Sequence, residues 1–234
     1  MSHVHASQSL GEIVAVVPMA ADVFKKYKID FCCGGHRSLA DALQELGLDE
    51  KPVLKKLDEV YEQTLKLTSQ VDFRSMASTD LIDYIINKHH VFLKKTLPEI
   101  SELATTILRV HGPNHTDLFQ VHKLFHMLKT DLDQHLIKEE GILFPMIKEY
   151  ALAPSDANLA KIRAQVVETE DEHVAAGGVL KDLRNLTQDY QVPADGCTTY
   201  RKTFKKLQEF ESDLFQHIHL ENNILFKQIG LQDA

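Results

Sequence analysis

The sequence predicts an all-α protein: a small N-terminal helical domain followed by an up-down-up-down four-helix bundle. Three observations carry that expectation. Apolar residues recur at spacings of three and four almost throughout, with little strand-like alternation. Four long helical patterns, at roughly 79–110, 114–150, 155–190 and 198–229, are separated only by His111-Gly112-Pro113-Asn114, Ala153-Pro154-Ser155 and Val192-Pro193-Ala194-Asp195-Gly196. Short turns between long helices make antiparallel neighbours, the outline of an up-down bundle. Finally, one pattern occurs twice: His135 and Glu139 followed by Ile142-Leu143-Phe144, and His217 and Glu221 followed by Ile224-Leu225-Phe226.

From the N-terminus, Gly11 to Tyr27, Ser38 to Leu46 and Pro52 to Leu67 carry helical periodicity, the last with proline at an allowed early position. Between the first two lies Asp30-Phe31-Cys32-Cys33-Gly34-Gly35-His36, too glycine-rich for a helix interior. Thr68 to Ser78 has weak periodicity and reads as a linker, after which Thr79-Asp80 opens the first long helix. The expected division is therefore an N-terminal domain over 1–70, a linker over 71–78 and the bundle over 79–234.

With 234 residues and 44% hydrophobic content the chain can bury a sizeable core. Its net charge of -8 argues against nucleic acid or an anionic membrane as the main partner. No apolar run reaches ~18 residues, and Met1 to Leu10 lacks the basic and apolar regions of a secretion signal. A cytoplasmic location is expected, where three cysteines, two of them adjacent, remain thiols rather than a disulfide framework.

Residues four apart lie on one helix face, so each His-x-x-x-Glu aims an imidazole and a carboxylate at one point. Burying such a pair is costly unless something compensates, and a metal ion does so directly. Antiparallel topology tests the idea, because residues at equal height flank a turn symmetrically. The midpoint of 90 and 135 falls at Gly112-Pro113; that of 137 and 173 falls at Ser155; that of 173 and 217 falls in the Pro193 to Gly196 turn. His90, His135, Glu139, His173, His217 and Glu221 thus share one level. Each also joins an apolar stripe: Leu128, Leu132, His135, Glu139, Ile142, Met146 on the second helix and Phe210, Leu214, His217, Glu221, Leu225 on the fourth. On the first helix His89 and His90 both continue a stripe, and spacing leaves the choice open. His122, His126 and His219 fall out of phase with their neighbours, and His3, His5, His111 and His115 are expected in solvent.

Imidazole and bridging carboxylate donors favour a pair of ions such as iron. Four histidines and two glutamates in His-x-x-x-Glu order differ from the carboxylate-rich Glu-x-x-His sites of ferritin-like bundles and point to the hemerythrin type.

His90 with Leu97-Pro98-Glu99, His135 to Pro145, Asp171-Glu172-His173, Cys197-Thr198-Thr199, His217 to Phe226 and Asp30-Phe31-Cys32-Cys33-Gly34-Gly35 together resemble the repair-of-iron-centres family, the YtfE/ScdA group of di-iron proteins, over essentially the whole chain. The resemblance implies a hemerythrin-like bundle with two non-haem, oxo- and carboxylate-bridged Fe ions held by His90, His135, His173 and His217 and bridged by Glu139 and Glu221. The family's spacing to Leu-Pro-Glu selects His90 over His89. It also implies a stress-induced cytoplasmic protein that restores damaged or apo iron-sulfur proteins by donating iron or handling NO. The other readings are a hemerythrin-like module that binds or senses O2 or NO, and an NO reductase producing N2O. Cys32 and Cys33 either form a tight structural turn or supply a thiolate, activated by the amides of the helix near Ser38, that receives iron, binds NO or passes electrons. Glu172 is a candidate proton shuttle or iron guide beside His173, Cys197 reads as structural, and a homodimer is left open.

Overall fold

The computed structural model describes residues 3–65 and 71–230, and among these no strand forms. The chain divides by compactness into two units, Met1–Leu81 with Gln216–Ala234, and Ile82–Phe215.

In the first unit, α1 (Leu10–Val16) begins at a capping box: Ser9 Oγ accepts from the Glu12 amide and the Glu12 carboxylate accepts from the Ser9 amide. The single helix expected over Gly11 to Tyr27 is interrupted, because Pro18 cannot donate to the preceding turn; α2 (Ala20–Lys26) resumes after it. α3 (Leu39–Glu45) starts at Ser38, whose side chain accepts from the Asp41 amide. α4 (Glu50–Leu65) follows, and the last residues of the pattern expected to Leu67 lie outside the described residues. So does the start of the expected linker; its described part, 71–78, holds a 3-10 turn at Phe73–Ser75. Leu10, Ile13, Phe24, Phe31, Leu39, Val53 and Leu57 form the buried core of this unit.

The second unit is a four-helix bundle. Its first rod joins α5 (Ser78–Ile85) to α6 (Val91–His111) through a π-helical turn at Ile86–His90. The second joins α7 (Asp117–Lys138) to α8 (Phe144–Leu152) through a π turn at Glu139–Leu143. α9 (Asp156–Leu186) is capped by Ser155 and ends four residues before the expected 190, where Gln188, Asp189 and Tyr190 take positive φ. α10 (Thr198–Leu220) supplies the fourth rod up to Phe215; from Gln216 the chain belongs to the first unit, where α10 runs through a third π turn, Glu221–Leu225, into α11 (Phe226–Gln228). Pairs across the rods run in opposite senses. Lys94 meets Glu140 while Ser101 meets His126, and His89 meets Asp213 while Glu99 meets Lys202. Both neighbours of α6 are therefore antiparallel to it, as short turns require.

The π turns correct the predicted stripes. A π turn takes more residues per revolution than an α turn. On the second rod the inward positions consequently shift from Ile142 and Met146 to Leu143 and Ile147: Leu143 and Ile147 are buried, and Ile142 is 48% exposed. On the first rod the wider turn buries both adjacent histidines, His89 and His90.

Candidate metal centre

The second unit brings four of the predicted ligands together. His90, His135, Glu139 and His173 are each 3% exposed or less. Glu139 stands at the centre: its Oε1 lies 3.3 Å from His135 Nε2 and its Oε2 lies 3.4 Å from His90 Nε2. His173 Nε2 is 3.2 Å from His135 Nε2, and one donor atom each of His135, Glu139 and His173 falls within 4.8 Å of the others. The equal-height expectation is met for His135 and His173. His90 meets Glu139, a turn further along than His135, because the connection between α6 and α7 runs over 112–116 and is centred at 114, beyond the expected Gly112-Pro113.

The outward nitrogens decide what the inward ones can do. His90 Nδ1 is 2.8 Å from Glu140 Oε1, and His135 Nδ1 is 2.6 Å from Glu172 Oε2. A carboxylate only accepts, so each Nδ1 carries the proton and each Nε2 is left with a lone pair. The two carboxylates are themselves charge-balanced: Lys94 Nζ lies 2.7 and 2.8 Å from the oxygens of Glu140, and Lys138 Nζ lies 2.5 Å from Glu172. Burial alone would raise both carboxyls, but hydrogen bonds from Lys94 and His90 hold Glu140 below the ordinary range, and those from Lys138 and His135 do the same for Glu172. Nε2 lone pairs and carboxylate oxygens facing one another in a buried space repel until a cation sits among them, and this donor set fits iron.

His89 is turned elsewhere. Its Nδ1 is 3.1 Å from Asp213 Oδ1 and its ring packs edge-on against Tyr84 at 5.9 Å. His122 and His126 stack at 3.9 Å on the α6–α7 seam and bond Thr105 and Ser101, outside the cluster as predicted.

In the first unit His217 Nε2 lies 3.0 Å from Glu221 Oε1, and neither side chain is exposed. Glu221 opens its π turn as Glu139 opens the other. Two residues on, Asn223 Nδ2 donates to the carbonyls of Cys32 at 2.9 Å and Phe31 at 3.4 Å. His219, expected only to face away from His217, is buried with its ring 5.8 Å from that of Phe31, and burial drives its pKa down to about 3. The Cys32-Cys33 loop is thus anchored to the helical segment that carries His217 and Glu221. Its other side is held to α1 by the Leu10 amide on Arg37 O and the Gly11 amide on Gly35 O, at 3.0 and 2.8 Å.

The setting of the thiols departs from the activated-thiolate reading and matches a tight turn. The helix after the loop begins only at Leu39, and the loop's own amides, those of Cys32, Cys33 and Gly34, all donate to the Asp30 carboxylate at 3.1 Å. Those amides cannot stabilise a Cys32 thiolate. The hydrogen bond to Cys33, burial and the nearby Asp30 charge instead push the Cys32 thiol well above its usual value. The two sulfurs lie 3.8 Å apart as free thiols, Cys32 buried and Cys33 partly exposed.

Sequence reasoning missed Glu140, Lys94, Lys138 and Asn223. Lys94 and Lys138 follow the candidate ligands His90 and His135 by four and three residues, a spacing that could have pointed to them. Asn223 left no signal, because only the folded loop supplies its partners.

Comparison with known proteins follows the same division. A domain of unknown function (DUF542), ScdA_N, matches residues 6–61, and the hemerythrin HHE cation binding domain matches residues 81–229. The iron-sulfur cluster repair protein ScdA of Staphylococcus haemolyticus is 31% identical over 94% of this chain and 97% of its own length. A probable iron-sulfur cluster repair protein of Haemophilus influenzae is 34% identical over 96% and 97%. The iron-sulfur cluster repair protein YtfE of an Enterobacter species is 35% identical over 94% of each chain. With an ScdA-type domain ahead of a hemerythrin cation-binding bundle, and relatives matched over nearly their full length, this chain belongs to the ScdA/YtfE family.

Proposed function

We propose that this chain acts in the repair of iron-sulfur clusters, the role its relatives are named for, and that His90, His135, Glu139, His173, His217 and Glu221 together hold two iron ions for that work. The observation that carries the reading is Glu139, one buried carboxylate whose two oxygens face two different imidazoles. A carboxylate so placed suits two ions that share it. His217 and Glu221 repeat the spacing and the π turn of His135 and Glu139, which supports Glu221 in the same part.

Iron bound there supplies open coordination positions for NO or O2 and, as Fe(II), an ion that can pass to a damaged or apo iron-sulfur protein. The chain does the rest. Glu140 and Glu172 hold the Nδ1 protons of His90 and His135, so the Nε2 lone pairs stay aimed inward. Burial excludes water from the donor atoms. Glu172, about one third exposed and shared between His135 and Lys138, links an inward imidazole to solvent and is placed to move a proton. Cys32 and Cys33 are the receiving thiols, and the Asn223 anchor keeps them beside the segment that bears His217 and Glu221. Such thiols suit the reducing cytoplasm, where we place the reaction.

The test is iron transfer. Protein loaded with Fe(II) under nitrogen is mixed with an apo iron-sulfur scaffold, and cluster formation is followed by absorbance. Transfer by the wild type and its loss in the Cys32→Ala, Cys33→Ala double variant, with iron content unchanged, is expected. Zinc in place of iron after anaerobic purification would overturn the di-iron reading. Transfer unaffected by the double variant would overturn the role of the thiols.

A further inference from the structure

A second cluster of donors lies at the other end of the α6 rod, about 30 Å along the helix from His90 at 1.5 Å per residue. His111 ends α6, His115 lies in the α6–α7 turn, Asp195 sits in the connection after α9, and Cys197 immediately precedes α10. His115 Nε2 is 2.9 and 3.0 Å from the oxygens of Asp195, and His111 Nε2 is 3.2 Å from Cys197 Sγ. One donor atom each from His111, His115 and Asp195 falls within 4.8 Å of the others. The histidines were expected only to meet solvent, and Cys197 only to pack.

We propose that His111, His115, Asp195 and Cys197 form a second metal site, independent of the iron centre, that takes one borderline divalent ion of the zinc type. Two imidazoles, a carboxylate and a thiolate match the donor preference of zinc. Metal–ligand lengths of ~2.0–2.3 Å in a tetrahedron put neighbouring donors ~3.3–3.7 Å apart. The two pairs in direct contact, His115 with Asp195 and His111 with Cys197, reach that range with shifts of a few tenths of an ångström. Tyr200 pre-orients the set: its buried ring meets the rings of His111 and His115 edge-on at 5.3 and 5.8 Å, which fixes both imidazoles against one wall. The Tyr200 amide donates to Cys197 Sγ at 3.4 Å.

Chemistry and access agree. The Tyr200 amide and the His111 imidazole together lower the Cys197 thiol to about 7, so it gives up its proton to a metal with little cost. Binding forms a sulfur–metal bond and releases that thiol proton to solvent, with no change of oxidation state. Cys197 is exposed and the histidines partly so, which leaves an entry path that the buried iron ligands lack. The ion would join the α6–α7 turn to the α9–α10 connection and close that end of the bundle.

The test uses the full-length, iron-loaded protein titrated anaerobically with Co2+ as a probe and then with Zn2+, with iron content followed throughout. Expected are one equivalent of Co2+ with a thiolate-to-cobalt charge-transfer band in the near ultraviolet, displacement by Zn2+, and a zinc-dependent rise in Tm. Cys197→Ser, close to the same size, should abolish the band. His115→Ala with Asp195→Ala should weaken uptake at least tenfold, and Cys32→Ser with Cys33→Ser should leave the band in place. No band in the wild type, or a band that survives Cys197→Ser, would overturn the proposal.

Discussion

Glu139 faces two imidazoles at once, its Oε1 3.3 Å from Nε2 of His135 and its Oε2 3.4 Å from Nε2 of His90. His90 stands on the first rod of the bundle and His135 on the second, so a single carboxylate couples both. If it is shared by two ions, its loss cannot be confined to one. Glu139→Leu, which suits a buried stripe, should therefore release both irons together while helical content by circular dichroism stays near the wild-type value. Selective loss of one ion, with the other bound at unchanged affinity, would show that the carboxylate is not shared.

The outer carboxylates make a graded prediction. Glu140 and Glu172 bind no metal in the proposed scheme but hold His90 and His135 in the right tautomer. Substitution of such partners weakens metal binding by about 10–100-fold. Glu172→Ala and Glu140→Ala should each lower iron affinity by that order in a chelator competition, and the corresponding glutamine variants by less, since an amide oxygen still accepts from Nδ1–H. Equal affinity in all four variants would remove the orienting role.

The first rod of the bundle offers a direct comparison of neighbours. His90→Leu should empty the site and leave the fold intact. His89→Leu should keep iron but strip Asp213 of its imidazole, at a cost of about 1–3 kcal/mol. At roughly 2–4 °C per kcal/mol for a chain of this size, thermal melting should reveal it as a Tm lower by several degrees. Iron lost from the His89 variant and retained in the His90 variant would reverse the assignment.

The thiol loop can be loosened without touching a thiol. A Cβ on Gly35 would overlap Asn223 Oδ1 and come 2.6 Å from the Phe31 carbonyl, backbone that cannot move aside cheaply. Gly35→Ala should displace the Cys32-Cys33 loop from its Asn223 anchor, reducing iron transfer to an apo scaffold while iron content is kept. Normal transfer in this variant would mean that the anchoring of the loop is irrelevant to the reaction.

Much of the fold was legible because its signals are local and periodic. Pro154-Ser155 and Gly112-Pro113 marked real rod ends, and Ser155 does cap α9. The repeated His-x-x-x-Glu named two buried pairs correctly. What failed was phase. Ile142 and Met146 were assigned inward from α-helical spacing, but the π turn at Glu139–Leu143 hands those places to Leu143 and Ile147. A π turn exchanges good backbone hydrogen bonds for better side-chain placement, and that balance is struck only when the surrounding rods are present. Pro18 was the opposite case, a local signal present in the sequence that interrupts the first helix as proline chemistry requires.

By itself the sequence determined the all-α class, the four rods and the two buried His-x-x-x-Glu pairs, because helical period and turn chemistry are written residue by residue. Tertiary structure decided that His89 turns to Asp213 while His90 meets Glu139, that Glu140 and Glu172 hold the tautomers, that the Asp30 carboxylate takes up the Cys32 loop amides, and that Asn223 fastens the loop. All but the Asp30 contacts, which span two to four residues, are meetings of groups far apart in the chain. Their energies arise only when burial removes water and leaves each polar atom with the partner that packing has brought within reach.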